Sequence, residues 1–308
     1  MKILVMGTGA VGSFYGGKLA NAGHDVIFVA RGEHLRALRE RGFSVKSYQG
    51  DFQLERVHVT DQPAEAGVCD LALVCVKSYD TVAAAQLLRP AVGPDTVILS
   101  LQNGVENEEQ LERALGRGNV MGGMAYIGVD VVSPGVVVHS VAGRLAFGER
   151  HGHRTPEAER LEQVFLEAEI QAELSINISV TLWDKLVWNA AFNAICTLSR
   201  STVGEVLTHP QTRALVRGTM LEVIAVARAQ GLALKESRAD EHIESSQTLA
   251  MSVYAPSMAN DLARGKRLEH DALNGAVVRF GERYGVPVPV NQTLWGLLAR
   301  LDPASRQL

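Results

Sequence analysis

Residues 1–31 read MKILVMGTGAVGSFYGGKLANAGHDVIFVAR. An apolar run, Lys2–Met6, enters the cluster Gly7-Thr8-Gly9-Ala10-Val11-Gly12. A helix-like stretch follows over Ser13–Ala22, and a second apolar run, Val26–Val29, leads to Arg31. A GxGxxG carries little weight alone, because glycine is common. Set after a strand, at the start of a helix and ahead of a second strand, it is the phosphate-binding turn of a dinucleotide-binding α/β unit. Gly7 permits the tight turn, Gly9 lets the backbone approach a pyrophosphate, and Gly12 lets the helix pack closely on the strand. The helix N-terminus then offers N–H groups and a positive dipole end to the phosphates. The competing reading is a tight turn with no ligand.

Arg31 lies about 20 residues past the glycines, where NAD-binding members of this architecture place an Asp or Glu on the ribose 2′-hydroxyl. A guanidinium instead grips a phosphate with two hydrogen bonds. The expected cofactor is therefore NADP(H) in preference to NAD(H). Glu33 is the nearby counter-indication, and it is read as support for a helix beginning around residue 33.

Outward from this turn the first half alternates. The short apolar runs Leu71–Val76 and Val97–Leu101 continue the pattern, with the helix-like Thr81–Leu88 between them. Such alternation indicates βαβ units and a parallel sheet. Residues 43–59, turning at Gly50-Asp51, read as an inserted hairpin. Strand candidates at Val120–Ile127, Val136–His139 and Leu145–Phe147 are closer together, as antiparallel strands would be. After about Leu174 the pattern changes to long helices, roughly 179–198, 211–230, 237–253, 270–284 and 291–300. The expectation is an α/β Rossmann-type domain over residues 1–176 and an all-α domain over 177–308. A cleft between them would be a ligand site. A chain of 308 residues is long enough for two cores.

Composition narrows the function classes. The chain carries 30 Lys and Arg against 34 Asp and Glu, a net charge of −4, which leaves no electrostatic footprint for nucleic acid or an anionic membrane. The one dense basic stretch, Arg264–Arg267, is followed by Glu269 and Asp271 and reads as a solvated face. Cys69, Cys75 and Cys196 are odd in number and lack CxxC spacing, which argues against a disulfide framework or a zinc site and suits a reducing, cytoplasmic setting. No leader-like segment or membrane-spanning apolar run is recognised.

In the second half, Lys185, Asn189 and Asn193 recur every four residues within the apolar stretch WDKLVWNAAFN. On a helix they form one polar stripe, and a helix so apolar is largely buried. The stripe must face a wet pocket or a satisfied polar network. One reading pairs it with the backbone or acids of a neighbouring helix. The other makes Lys185 a proton donor, with the two amides orienting a small polar substrate.

Taken together, these segments resemble the ketopantoate reductase (2-dehydropantoate 2-reductase) family. The likeness spans essentially the whole chain. It rests on the N-terminal stretch, VKSYDT (76–81), SLQNGVENEE (100–109), VVHSVAGRLAFGE (137–149), WDKLVWNAAFNAICTLSR (183–200) and PSMANDLARGKRLEHDALNG (256–275). It implies a helical domain like the C-terminal domain of 6-phosphogluconate dehydrogenase. It also implies NADPH-dependent reduction of the C2 ketone of 2-dehydropantoate to (R)-pantoate, on the route to pantothenate and coenzyme A. By the same resemblance, Lys185 is the proton donor, Asn189, Asn193 and Ser257 bind substrate, and Glu269 lies near cofactor and substrate as a catalytic acid. Asn103 stands between cofactor and substrate. Lys77 joins Arg31 on the cofactor, and Gly128 touches the cofactor through its backbone.

Plainer roles remain open for each of these: an N-cap for Ser257, a surface ion pair for Glu269, a turn for Asn103-Gly104 and a solvated strand end for Lys77. His139, without a partner acid or nucleophile, reads as structural. Val203 stands where family members often have a polar side chain, which bears on the choice of substrate. A paralogous reductase of another 2-keto acid, and a non-catalytic NADP-binding sensor, are the alternatives. A homodimer is one option for the state of association.

Overall fold

The computed structural model describes residues 1–116 and 120–307. The chain divides into two compact units. One comprises Met1–Gln102 and Asn107–Ile178, the other Asn103–Glu106 and the chain from Ser179 onward.

In the first unit, β1 (Lys2–Met6), α1 (Ala10–Asn21), β2 (Asp25–Val29) and α2 (Gly32–Arg41) follow the opening pattern. A hairpin of β3 (Phe43–Ser47) and β4 (Phe52–Leu54) comes next, then β5 (His58–Thr60), β6 (Cys69–Val74), α3 (Thr81–Leu88), β7 (Val92–Ser100) and α4 (Asn107–Leu115). A long antiparallel pair, β8 (Val120–Ser133) and β9 (Val136–Gly148), leads to α5 (Pro156–Glu167) and β10 (Ala172–Leu174). Among the described residues the strands join in one sheet of order β4-β3-β9-β8-β7-β6-β1-β2-β5, with β10 beside β9. Parallel pairing runs from β8 through β7, β6, β1 and β2 to β5. Strand β6 ends two residues earlier than the apolar run suggests, and β7 begins five residues earlier, at Val92.

The parallel strands are buried almost end to end. Ile3, Leu4, Val5, Ile27, Phe28 and Leu73 have no exposure, as both faces of a covered sheet require. Two apolar clusters lie on opposite faces. Ile3, Val5 and Phe28 pack with Phe14 and Phe147, while Leu4, Met6 and Ile27 pack with Ala85 and Leu88.

The second unit is built from α6 (Ile178–Ser199), α7 (Val203–Thr208), α8 (Pro210–Ala229), α9 (Ser237–Ser245), α10 (Leu249–Ser252), α11 (Ser257–Ala263), α12 (Ala276–Tyr284) and α13 (Pro289–Leu301). The expected helix over 237–253 is broken. Ser246 closes α9, and the Thr248 hydroxyl caps α10 by accepting the Met251 N–H. The expected helix over 270–284 opens with a π-helical turn, Asp271–Gly275. One apolar core holds the unit together, with Leu186, Val187, Ala190, Phe192 and Ile195 of α6 against Met220, Val223, Val277 and Leu298. Val203 is fully buried in this core, and its N–H donates to the Tyr254 carbonyl, so its apolar side chain is accounted for by packing. Among the described residues, no helix is long and apolar enough to cross a membrane.

Candidate active site

In the first unit the glycine turn sits at the carboxyl end of β1. Gly7 has φ +101°, and a Cβ there would meet Val76 at 2.7 Å. At Gly12 a Cβ would stand 2.2 Å from the Gly7 carbonyl oxygen, so the start of α1 can fold back over the turn only without a side chain. Gly9 differs, since a Cβ there would meet nothing within 4 Å. Its bareness serves no internal packing, which is what a turn shaped to a phosphate requires. The first turn of α1 has no acidic residue, and its N-cap, Gly9, supplies no side-chain hydrogen bond.

Thr8 is buried. Both its N–H and its hydroxyl donate to the Val29 carbonyl at 2.9 Å, tying the turn to the end of β2. Ala10 and Val11 open α1, with Val11 resting on the sheet core.

Arg31 follows β2 as the N-cap of α2 and is exposed. Glu33 pairs with Arg36 at 3.6 Å within the first turn of α2. Lys77 follows β6, directly after the Val76 that abuts Gly7. The two cations thus leave the strands on either side of β1, where open α/β sheets bind ligands. Gly128 stands on β8 opposite Val141, six residues past the Gly122 that pairs with Ser100, and its carbonyl accepts the Ser140 hydroxyl. These features fit a dinucleotide at the carboxyl end of the sheet.

In the second unit the residues singled out in the helical half come together. Asn193 Nδ2 donates to Asn189 Oδ1 at 3.3 Å. Asn189 Nδ2 donates to Asn103 Oδ1 at 3.4 Å, and Asn103 Nδ2 to Glu269 Oε2 at 3.5 Å. At the other end, Asn193 Oδ1 accepts the Ser257 hydroxyl at 3.4 Å and the Met258 N–H at 3.1 Å. The row therefore runs Ser257–Asn193–Asn189–Asn103–Glu269, each link a single hydrogen bond. Asn189, Asn193 and Glu269 are buried, Asn103 and Lys185 are half-buried, and Ser257 is exposed. Lys185 stands one turn before Asn189 on α6.

The plainer readings change accordingly. Ser257 is the first helical residue of α11, after Pro256 as N-cap, so capping is not its task. Glu269, 6% exposed, does not lie on the surface. It stands two residues before the π-helical turn at Asp271–Gly275, a distortion frequent at functional sites.

Asn103–Glu106 belong to the helical unit although the chain on either side of them does not. Val105 packs on the helical core, and Glu106 receives Arg279 through Nε at 3.2 Å and a terminal nitrogen at 2.5 Å. Beside Lys185, Asp184 accepts both arms of Arg238 at 2.7 Å and His242 Nε2 at 3.1 Å. Burial would raise the Asp184 pKa, but these hydrogen bonds and charges hold it well below the usual carboxylate range.

Asn274 escaped the sequence reading. It is fully buried, and its Nδ2 donates to the Ala190 carbonyl of α6 and to Asn291 Oδ1, both at 3.0 Å. An Asn within an apolar helical stretch was its only sequence signal. His139 is structural. Its Nε2–H donates to the Val141 and Ala142 carbonyls at 3.2 and 3.0 Å, its Nδ1 accepts the Ser47 hydroxyl at 2.9 Å, and burial lowers its pKa. Among the described residues, no His, Cys, Asp and Glu cluster could hold a metal ion.

The family model described as Ketopantoate reductase PanE/ApbA matches residues 3–152, and that described as Ketopantoate reductase PanE/ApbA C terminal matches residues 177–302. A protein of Archaeoglobus fulgidus named 2-dehydropantoate 2-reductase is 37% identical over 301 residues, 98% of each chain. The crystal structure of a PanE/ApbA family ketopantoate reductase from Ralstonia eutropha JMP134 has a TM-score of 0.92 at 37% identity, covering 100% of both chains. That of a 2-dehydropantoate 2-reductase from Geobacter metallireducens GS-15 has a TM-score of 0.93 at 37% identity, covering 97% of this chain and 99% of the other.

Proposed function

The chain belongs to the ketopantoate reductase family, and on that premise we propose that it reduces the C2 ketone of 2-dehydropantoate with NADPH, giving (R)-pantoate. The observation that carries this reading is the hydrogen-bonded row Ser257–Asn193–Asn189–Asn103–Glu269, with Lys185 one turn away on the same helix. A binding module for a dinucleotide has no need of such a row. A keto acid with hydroxyl, carboxylate and ketone oxygens does.

NADPH, when bound, supplies the hydride that reduces the ketone carbon. Lys185 gives its proton to the ketone oxygen, and its charge stabilises the alkoxide that develops there. Asn189 and Asn193 orient the substrate through amide groups whose own positions are fixed by their neighbours in the row. Ser257, at the exposed end, offers its hydroxyl to the polar groups of the acid. Glu269 at the buried end fixes the Asn103 amide and stands as the site's acid.

The turn Gly7–Gly12 and the first N–H groups of α1 hold the pyrophosphate. Arg31 and Lys77 hold the 2′-phosphate, which gives NADPH its advantage over NADH.

The test is NADPH oxidation, followed by absorbance, on a panel of 2-keto acids with wild type and Lys185→Ala. Turnover should be confined to 2-dehydropantoate, and the variant should lose about 10²–10⁴-fold in kcat while NADPH affinity stays within a few-fold. Preference for another keto acid would reassign the substrate. Equal loss of turnover and NADPH binding would remove Lys185 as proton donor.

A further inference from the structure

The Lys185 ammonium lies 5.3 Å from the centroid of the Trp188 ring, within the range at which an indole face attracts a cation. The two side chains are three residues apart on α6 and so share a face. Trp188 is itself fixed. Its Nε1–H donates to Ser246 Oγ at 3.0 Å, and its ring lies 4.9 Å from that of Phe192. Ser246 is 2% exposed and closes α9.

The same α9 holds α6 a second time, through Arg238 and His242 on Asp184. One short helix therefore grips α6 at residue 184 and at residue 188, on both sides of the lysine. Asp184 is engaged by Arg238 and His242, and the indole offers the ammonium a neutral, polarisable surface.

We propose that Trp188, anchored by Ser246, is a positioning residue for Lys185. Its indole face holds the ammonium in place, so that the proton is delivered from a fixed point. A long flexible side chain otherwise spreads over many rotamers, and a misplaced donor slows the step steeply. The inference rests on the proton-donor reading of Lys185.

The experiment is steady-state kinetics with NADPH and 2-dehydropantoate on Trp188→Leu, Trp188→Phe, Lys185→Ala and the Trp188→Leu/Lys185→Ala double variant, with melting temperatures alongside. Trp188→Leu should lower kcat about ten-fold, with both KM values changed less than about three-fold. Trp188→Phe keeps a ring face and should recover most of kcat. In the Lys185→Ala background, Trp188→Leu should have no further effect on kcat, because the tryptophan acts through the lysine.

A full ten-fold loss that persists in that background would overturn the proposal. So would Leu and Phe variants equally slow at equal loss of melting temperature, or a change confined to the KM of the keto acid, which would make Trp188 a wall of the substrate site. Lys185→Ala turning over at the wild-type rate would instead overturn the proton-donor reading, and this inference with it.

Discussion

Glu108 lies in the first turn of α4 at 2% exposure, and its Oε1 meets no hydrogen-bond partner. Burial pushes its carboxyl up to about 7, against the pull of its own backbone N–H, the Arg150 charge and the Ser100 hydroxyl. A raised carboxyl binds its proton more tightly in the folded state. Its contribution to stability is therefore complete below the ordinary glutamate value and is lost as the pH rises through about 7. Glu108→Gln keeps the shape and removes the ionisation. The stability of wild type relative to this variant should fall between about pH 4.5 and 7 and level off above, as read from urea unfolding midpoints. Parallel curves would mean that Glu108 titrates normally. Nothing in ENEEQ marks Glu108 as the buried acid, because burial is set by β7 and the chain near Arg150. Lys185, Asn189 and Asn193, in contrast, were legible as a group, because four-residue spacing puts them on one face whatever the tertiary structure. Their partners Asn103, Ser257 and Glu269 stand 86, 64 and 166 residues away along the bonds that join the row, beyond the reach of periodicity.

Between β7 and α4 runs the segment that carries Asn103. Its two stems meet at one hydroxyl. Gln102 Nε2 donates to Thr81 Oγ1 at 2.8 Å, and the one proton of that hydroxyl is shared between the Ser78 carbonyl at 2.8 Å and Asn107 Oδ1 at 3.1 Å. Gln102 Nε2 also reaches the Val76 carbonyl at 3.0 Å. Thr81 is fully buried, at the start of α3. Thr81→Val keeps the volume and leaves the amides short of a partner, so it should cost about 1–3 kcal/mol in chemical denaturation. Thr81→Ser should cost less than Val, and equal losses would show that packing, not the hydroxyl, matters there. Elements with strong periodicity, such as α3 and α8, were read from sequence within a residue. The missed helices carried local signals of another kind. Thr155-Pro156 with Glu157 opens α5, and the Thr202–Glu205 capping box opens α7. The π-helical turn after Glu269 had no such signal, since a helix of one extra residue per turn keeps an ordinary apolar pattern.

At the scale of the whole molecule the sequence pattern separated an α/β half from a helical half, but it assigned residues 103–106 to the first. The structure places them with the second, because Val105 packs on the helical core and Glu106 pairs with Arg279. A short loop between a strand and a helix gives no hint of such an allegiance. Cofactor preference can be read from global stability, since a ligand that binds only the folded state stabilises it by about 2.7 kcal/mol at one hundred times its dissociation constant. On the proposed reading the glycine turn and α1 would serve NADPH and NADH alike, so a difference between them would arise at the 2′-phosphate. Thermal unfolding at equal cofactor concentrations should therefore show a larger upward shift with NADPH than with NADH. Arg31→Ala should shrink the NADPH shift towards the NADH one and leave the melting temperature without cofactor nearly unchanged, because Arg31 is exposed. If the two cofactors shift wild type equally, or if Arg31→Ala reduces both shifts alike, the 2′-phosphate is not what Arg31 reads.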